Sequence, residues 1–265
     1  MPHGPRTDRR LGGRGRVGLA EVTLAAPASG GDRMPGLSPT AARYLEATYY
    51  IAHEGEAVRP SRIAEWLGVS APTVTGVMQR LHEQGLVEFN SDRSLRLSPA
   101  GEQRASEVVR RHRIVERWLT DALGLDWATA DQEAGRMSHF FSDLVLERIF
   151  EELGRPTTCP HGNEIPGAGT RDRELVSLYE LEPGVSAVIS RISEVAEHEA
   201  PQLLRLLEVE GLRPGVQVEV RREAGAEALT VEVAGRTTAL GLRAARSVWV
   251  ECSGRDRPPG AAGSL

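Results

Sequence analysis

Residues 59–101, RPSRIAEWLGVSAPTVTGVMQRLHEQGLVEFNSDRSLRLSPAG, limit what this chain can fold into more than any other stretch. Ile63, Ala64 and Leu67 give one short helix an apolar face, and Gly68-Val69-Ser70 supplies a tight turn. A second helix begins near Pro72 and carries Val74, Val77, Met78 and Leu81 at helical spacing; Gly85 stands where a helix C-cap belongs. Residues 86–89 and 94–97 then alternate like two strands around the turn Asn90-Ser91-Asp92-Arg93. Helix, turn, helix and hairpin in that order make a winged helix-turn-helix, which presents its second helix to the major groove of DNA. Small residues at the start of that helix admit close approach to the groove floor. On this reading Ser70, Ala71, Pro72, Thr73, Thr75, Gly76 and Arg80 meet base edges or the adjoining backbone, and Arg59, Arg62, Arg80 and Arg93 meet phosphates. Val74, Val77 and Leu81 are core.

Charge sets how such a head can bind. The 265-residue chain has a formal charge of −5, and residues 38–100 hold six arginines against seven carboxylates. A head with almost no net charge gains little from phosphate attraction alone, so a dimer reading two half-sites of double-stranded DNA is expected. All 32 Lys-plus-Arg residues are arginine, the better fork for guanine and phosphate. Two cysteines, Cys159 and Cys252, do not make a disulfide framework. No apolar run is long enough to span a membrane and the N-terminus lacks the apolar core of a secretory signal, so a cytoplasmic protein is expected.

The organisation follows from composition and period. Residues 1–37 are rich in Gly, Pro and Arg, carry +3, and read as a disordered tail; Met34 is an alternative start. Residues 38–100 form the winged domain, led by a helix over about 39–53. Residues 101–155 read as a helical dimerisation and metal-binding domain made of two long helices, about 99–123 and 128–153. Val108, Val109, Ile114, Val115, Trp118 and Leu119 on the first, and Met137, Phe140, Phe141, Leu144, Val145 and Ile149 on the second, give both more apolar surface than one chain covers, and a homodimer follows. Residues 156–173 are a Pro/Gly-rich linker. Residues 174–252 hold six short strands (175–181, 187–193, 217–222, 229–233, 236–240, 248–250) and a helix near 201–209, the pattern of a small β-barrel. Residues 253–265 are a second tail. The fold class is therefore α+β: winged helix-turn-helix, helical dimerisation domain, small SH3-like barrel. No nucleophile–base pair, phosphate loop or HExxH string suggests an enzyme, and no small-molecule substrate is expected.

Five strings together resemble the diphtheria-toxin-repressor family of metal-dependent transcriptional regulators over roughly residues 38–252. SAPTVTGVMQRLHEQGLV is similar to its recognition helix, SDRSLRLSPAG to its wing, RRHRIVERWLTDALGLD to its first dimerisation helix, CPHGNEIPG to its junction motif with Glu164 where proline is usual, and LLEVEGLRPGVQVEV with TALGLRAARSVWVE to its FeoA-type, SH3-like domain. The resemblance implies a homodimeric repressor of metal-homeostasis genes on a palindromic operator, with Mn²⁺ or Fe²⁺ as co-repressor. A regulator of the same fold that is metal-independent, or senses another ligand, is the alternative.

His112 and Glu116 are i, i+4 on one helix, near enough to close on one cation, although in isolation such a pair reads first as a surface ion pair. The resemblance assigns them to an ancillary metal site, with Asp131 next and Glu199 and Gln202 reaching over from the SH3-like domain. One nitrogen among mostly oxygen donors favours Mn²⁺ or Fe²⁺. The positions of the family's primary site fall at Arg43, Gly135, Ser138 and His139, of which only His139 is a ligand type. Three readings stand side by side. The primary site is lost, or Arg43 substitutes a fixed cation for the metal, or ligands have moved to Glu46, His139, Met137, Cys159 or His161. Cys159-Pro-His161 itself is either a metal or haem ligand pair or a structural turn with a buried thiol.

Overall fold

The computed structural model describes residues 37–169, 174–194, 200–221 and 228–252. The tails expected over residues 1–37 (all but Leu37) and 253–265, and the expected ancillary ligand Glu199, lie outside them. Helix α1 (Pro39–His53) opens the winged domain, capped by the Ser38 hydroxyl on the Ala41 N–H. α2 (Pro60–Leu67) ends at Gly68, whose φ of 64° makes the left-handed turn that a β-carbon resists. α3 (Ala71–Glu83) starts from Ser70, which caps Thr73 N–H, and buries Val74, Val77, Met78 and Leu81. The wing is a two-stranded hairpin, β1 (Val87–Phe89) against β2 (Leu95–Leu97), in the register Val87↔Leu97 and Phe89↔Leu95. Arg93 takes the left-handed position of its turn, and the Asp92 carboxylate accepts from the Ser94 N–H and hydroxyl.

α4 (Pro99–Asp121) leaves the wing directly, capped by Ser98. A β-carbon on Gly101 would stand 1.8 Å from the Leu86 carbonyl oxygen, so only glycine lets α4 seat this closely on the hairpin. The second long helix expected from periodicity is broken in two. α5 (Trp127–Met137) runs into a 3₁₀ turn, Phe141 is extended, and α6 (Asp143–Glu152) restarts where the Ser142 hydroxyl accepts from Val145 N–H. Ser142-Asp143 is itself a helix-start signature, and the Arg111 guanidinium, reaching the Asp143 carboxylate and the Phe141 carbonyl, fixes the corner.

The C-terminal part is one antiparallel sheet in the order β3-β8-β4-β5-β6-β7. Its strands are β3 (Val176–Ser177), β4 (Ser186–Ile192), β5 (Gln217–Val220), β6 (Ala228–Val233), β7 (Arg236–Gly241) and β8 (Val248–Cys252). α7 (Pro201–Val209) and a short α8 (Leu242–Ser247), which the strand pattern concealed, pack on it. The stretch expected as strand 175–181 is two residues of β3 followed by a 3₁₀ turn.

Three apolar cores result. One fills the winged domain, a second joins α4, α5 and α6 through Ile114, Val115, Leu119 and Phe150, and a third lies under the sheet and takes in Trp127 of α5. Residues 156–169 are far from a loose linker. Cys159, His161, Asn163 and Ile165 are buried, Ile192 N–H donates to the His161 carbonyl, and the Asn163 amide donates to Ile192 O, both at 2.9 Å. Gly162 (φ 89°) approaches β4 so closely that a β-carbon would sit 2.1 Å from Ser190 O. Among the described residues no helix is long and apolar enough to cross a membrane.

Candidate metal centre and nucleic-acid interface

α3 turns two different faces outward and inward. Ala71, Pro72, Thr73, Thr75, Gly76, Gln79 and Arg80 are exposed, whereas the four apolar positions are sealed in the core. Nothing lies within 4 Å of a β-carbon built on Gly76, so the middle of the outward face is a shallow, open strip. Of the arginines expected at phosphates, Arg80 and Arg93 are exposed, and Arg59 is exposed with a 3.4 Å pairing to Asp92 on the wing. Arg62 differs: it pairs with Glu56 at 2.7 Å and lies 5.5 Å from the Trp66 ring, which ties it to the domain itself.

On α4, four charged or polar positions within six residues are turned inward. Arg111, His112, Arg113 and Glu116 are all buried. Burying charges costs several kcal/mol each unless partners are supplied, so the partners define the site. His112 Nδ1 lies 3.0 Å from Glu46 Oε1 on α1, and its Nε2 lies 3.3 Å from Asp131 Oδ1 on α5. Burial would push this ring down, but Glu46 and then Asp131 overcome that and hold its pKa well above the usual histidine value. With a carboxylate beside each nitrogen, the charged form of His112 is favoured, and the ring lies between the winged domain, α4 and α5.

Glu116, one turn further on, faces a different set. His161 Nδ1 is 2.8 Å from Glu116 Oε1 and 4.0 Å from Cys159 Sγ. Glu116, Cys159 and His161 are all buried, and one donor atom from each falls within 4.8 Å of the others. Among the described residues this is the only group of three such side chains that close together. Trp127 meets the His161 ring edge-on at a centroid distance of 4.9 Å and closes the apolar side of the cluster. Burial lowers and Glu116 more than restores the His161 pKa, which ends raised. Glu194, at the end of β4, is buried nearby; desolvation raises its carboxyl, Arg113 opposes, and Glu116 adds to the rise. A thiol, an imidazole and a carboxylate converging in a dry pocket suit a divalent transition metal: ions of this type accept mixed S, N and O donors. A bound cation would also neutralise the crowded carboxylates.

Four of the five ligands expected at one ancillary site are among the described residues. His112 and Asp131 pair with each other and with Glu46; Glu116 stands with Cys159 and His161; Gln202 is exposed on α7. The positions of the primary site line one cavity of about 670 Å³, with Arg43, Gly135, Ser138 and His139 around Glu46 and His112. Arg43 is exposed and donates to the Leu67 carbonyl at 3.3 Å, and the space above Gly135 is open, its nearest neighbour being His112 Cε1 at 3.8 Å. Burial lowers the His139 pKa. Cys159 and His161 were visible in the sequence as a Cys-x-His string. Their joining Glu116 was not, because helical spacing paired that residue with His112 instead. Glu194 had no sequence signal.

Fold and site together define a winged helix-turn-helix protein whose reading domain is joined, through one buried helix, to a cluster of metal-type donors. Comparison with known proteins narrows the class. Residues 36–95 match the model described as iron dependent repressor, N-terminal DNA binding domain. Residues 98–167 match iron dependent repressor, metal binding and dimerisation domain, and residues 176–252 match the FeoA domain. The iron-dependent repressor IdeR of Mycobacterium tuberculosis (strain ATCC 25618 / H37Rv) is 34% identical over 229 residues, covering 82% of this chain and 99% of the relative. The diphtheria toxin repressor of Corynebacterium diphtheriae is 36% identical over 196 residues, 71% of this chain and 86% of the relative. A solved structure described as a manganese-dependent transcriptional repressor in complex with manganese superposes with a TM-score of 0.72 at 32% identity, covering 80% of this chain and 100% of that one. ScaR with bound Cd²⁺ gives 0.67 at 26% identity, covering 80% and 99%. The chain belongs to the iron-dependent repressor family.

Proposed function

We propose that the protein is a metal-responsive transcriptional repressor that binds a palindromic DNA operator as a homodimer and controls metal-homeostasis genes, with Fe²⁺ or Mn²⁺ as co-repressor. The observation that carries this reading is the buried Glu116–Cys159–His161 cluster. Its Glu116 belongs to α4, the helix that leaves the wing without a break, and its Cys159 and His161 to the buried segment 156–169. Glu116, Cys159 and His161 would hold the ion, with Glu194 the nearest further carboxylate. The bound cation supplies charge neutralisation and a fixed cross-link. The protein does the rest: α4 carries the constraint to the winged domain, α3 presents Ala71, Pro72, Thr73, Thr75, Gly76 and Arg80 to bases and backbone, and Arg59 and Arg93 flank it at phosphates. DNA affinity and metal affinity are then reciprocally linked.

His112, Glu46 and Asp131 lie together and are the candidate second pole, with His139, Glu199 and Gln202. The Cys159 sulfur in the first cluster broadens the donor set beyond the oxygen-rich one expected from sequence and favours Fe²⁺ over the harder Mn²⁺. The reading assigns no catalytic step, and its place of action is wherever the DNA is, the cytoplasm. DNA selected by the protein from a random pool is titrated with and without Mn²⁺ or Fe²⁺, for wild type, Cys159→Ser and His112→Ala. Metal is expected to raise wild-type affinity, and Cys159→Ser to weaken metal binding by about a hundredfold or more, since a serine hydroxyl stays protonated where a thiol ionises. DNA affinity that ignores both metal and substitution defeats the reading.

A further inference from the structure

Glu54 follows the last turn of α1, and its side chain is only 7% exposed. The donors to its carboxylate are Arg191 on β4 and the two residues just past that strand. Arg191 Nη1 donates to Oε1 at 2.5 Å, the Glu194 main-chain N–H donates to the same oxygen at 3.1 Å, and the Ser193 hydroxyl donates to Oε2 at 3.2 Å. Arg191 is braced in turn, 5.0 Å over the Trp249 ring and 3.4 Å from Asn163 Oδ1. These partners stand 137 to 140 positions from Glu54 in sequence. Exposed ion pairs add little stability, but here the Glu54 carboxylate is buried and Arg191 half-buried, and losing the arginine would leave the carboxylate without its cation.

Glu194 points both ways. Its N–H goes to Glu54, while its carboxylate pairs with the buried Arg113 of α4. Arg113 also donates to the Glu164 carbonyl and lies 5.5 Å from the Tyr50 ring on α1. A single residue thus touches the reading domain through its backbone and the metal-bearing helix through its side chain. α1 packs against α2, α3 and α4, so a shift at Glu54 reaches the recognition helix by direct contact.

We propose that Glu54 is a positioning residue for DNA recognition: it locks the end of β4 to the end of α1, so that a change at the metal cluster is passed by Glu194 to the reading domain. The coupling half of this inference rests on the metal-responsive reading above; the lock does not.

The test uses the full chain, with Glu54→Gln, Arg191→Met and the double variant. Glutamine keeps the shape and an acceptor but loses the charge; methionine keeps the stem over Trp249. Amide exchange over residues 186–194 is measured on metal-free protein, Mn²⁺ affinity without DNA, and affinity for the wild-type-selected duplex with and without Mn²⁺. Both single variants are expected to exchange at least about tenfold faster over 186–194, with no further gain in the double variant. Mn²⁺ affinity and metal-free DNA affinity stay within about threefold of wild type, while the metal-induced gain in DNA affinity shrinks by about tenfold. Unchanged exchange overturns the lock. An undiminished metal-induced gain, or an equal fall in DNA affinity with and without metal, overturns the positioning role, since a merely structural residue gives the latter. If the DNA affinity of the wild type itself ignores Mn²⁺, the repressor reading and the coupling fail together, and exchange alone decides the lock.

Discussion

At the scale of single residues, the site is governed by what α4 buries. Helical spacing puts His112 and Glu116 on one face, and in isolation the two would read as a pair. Their contacts differ: Glu46 and Asp131 lie against His112, and His161 against Glu116 with Cys159 beside it. The pH dependence of the metal-free protein follows from the first group. The folded-state pKa of His112 is raised, so its stabilisation is complete below the unfolded value of about 6.5 and is lost as pH rises through the folded value. Metal-free wild type is therefore expected to lose stability as pH climbs from neutral into the alkaline range, and His112→Asn to flatten that slope. Urea unfolding across pH measures it; a wild-type slope that His112→Asn leaves intact removes the charged form of His112 as its cause.

At the scale of elements, capping residues decide where helices stop. Apolar spacing runs unbroken from Ala128 to Leu153, yet the chain leaves the helix at Phe141 and begins again at Asp143, because Ser142 satisfies the first N–H groups of α6 and Arg111 holds the corner. Ser142→Ala should cost about 1 kcal/mol in denaturant unfolding of the dimer and leave metal affinity at the Glu116 cluster unchanged. The winged hairpin and α3 were legible from residues 59–101 alone, since each rests on local signals: Ser70 as a cap, Gly68 as a left-handed stop, Asp92 at the turn. The segment 156–169 was not. Its glycines and prolines read as a linker, and only its fit under β4, through His161, Gly162 and Asn163, makes it part of the core.

At the scale of the molecule, the break after α5 leaves apolar side chains outside. Phe140 and Leu144 are 70% and 67% exposed, with Val145 beside them, on a domain whose family model is named for dimerisation. Replacing Phe140 and Leu144 with glutamate should give a monomer in sedimentation and weaken binding to a two-half-site duplex by about a hundredfold or more, with the salt slope falling to about half. A variant that stays dimeric places the interface elsewhere. The sequence alone determined the reading helix, the resemblance and the residue types at Arg43, Gly135 and Ser138, because each is a matter of local period, cap or residue identity. The tertiary structure decided which donors meet. Glu116 joins Cys159 and His161 from more than forty positions away, and Glu54 meets Arg191 and Glu194 across 137 and 140 positions. Contacts of that range arise from packing three cores together, and no local pattern in the chain encodes them.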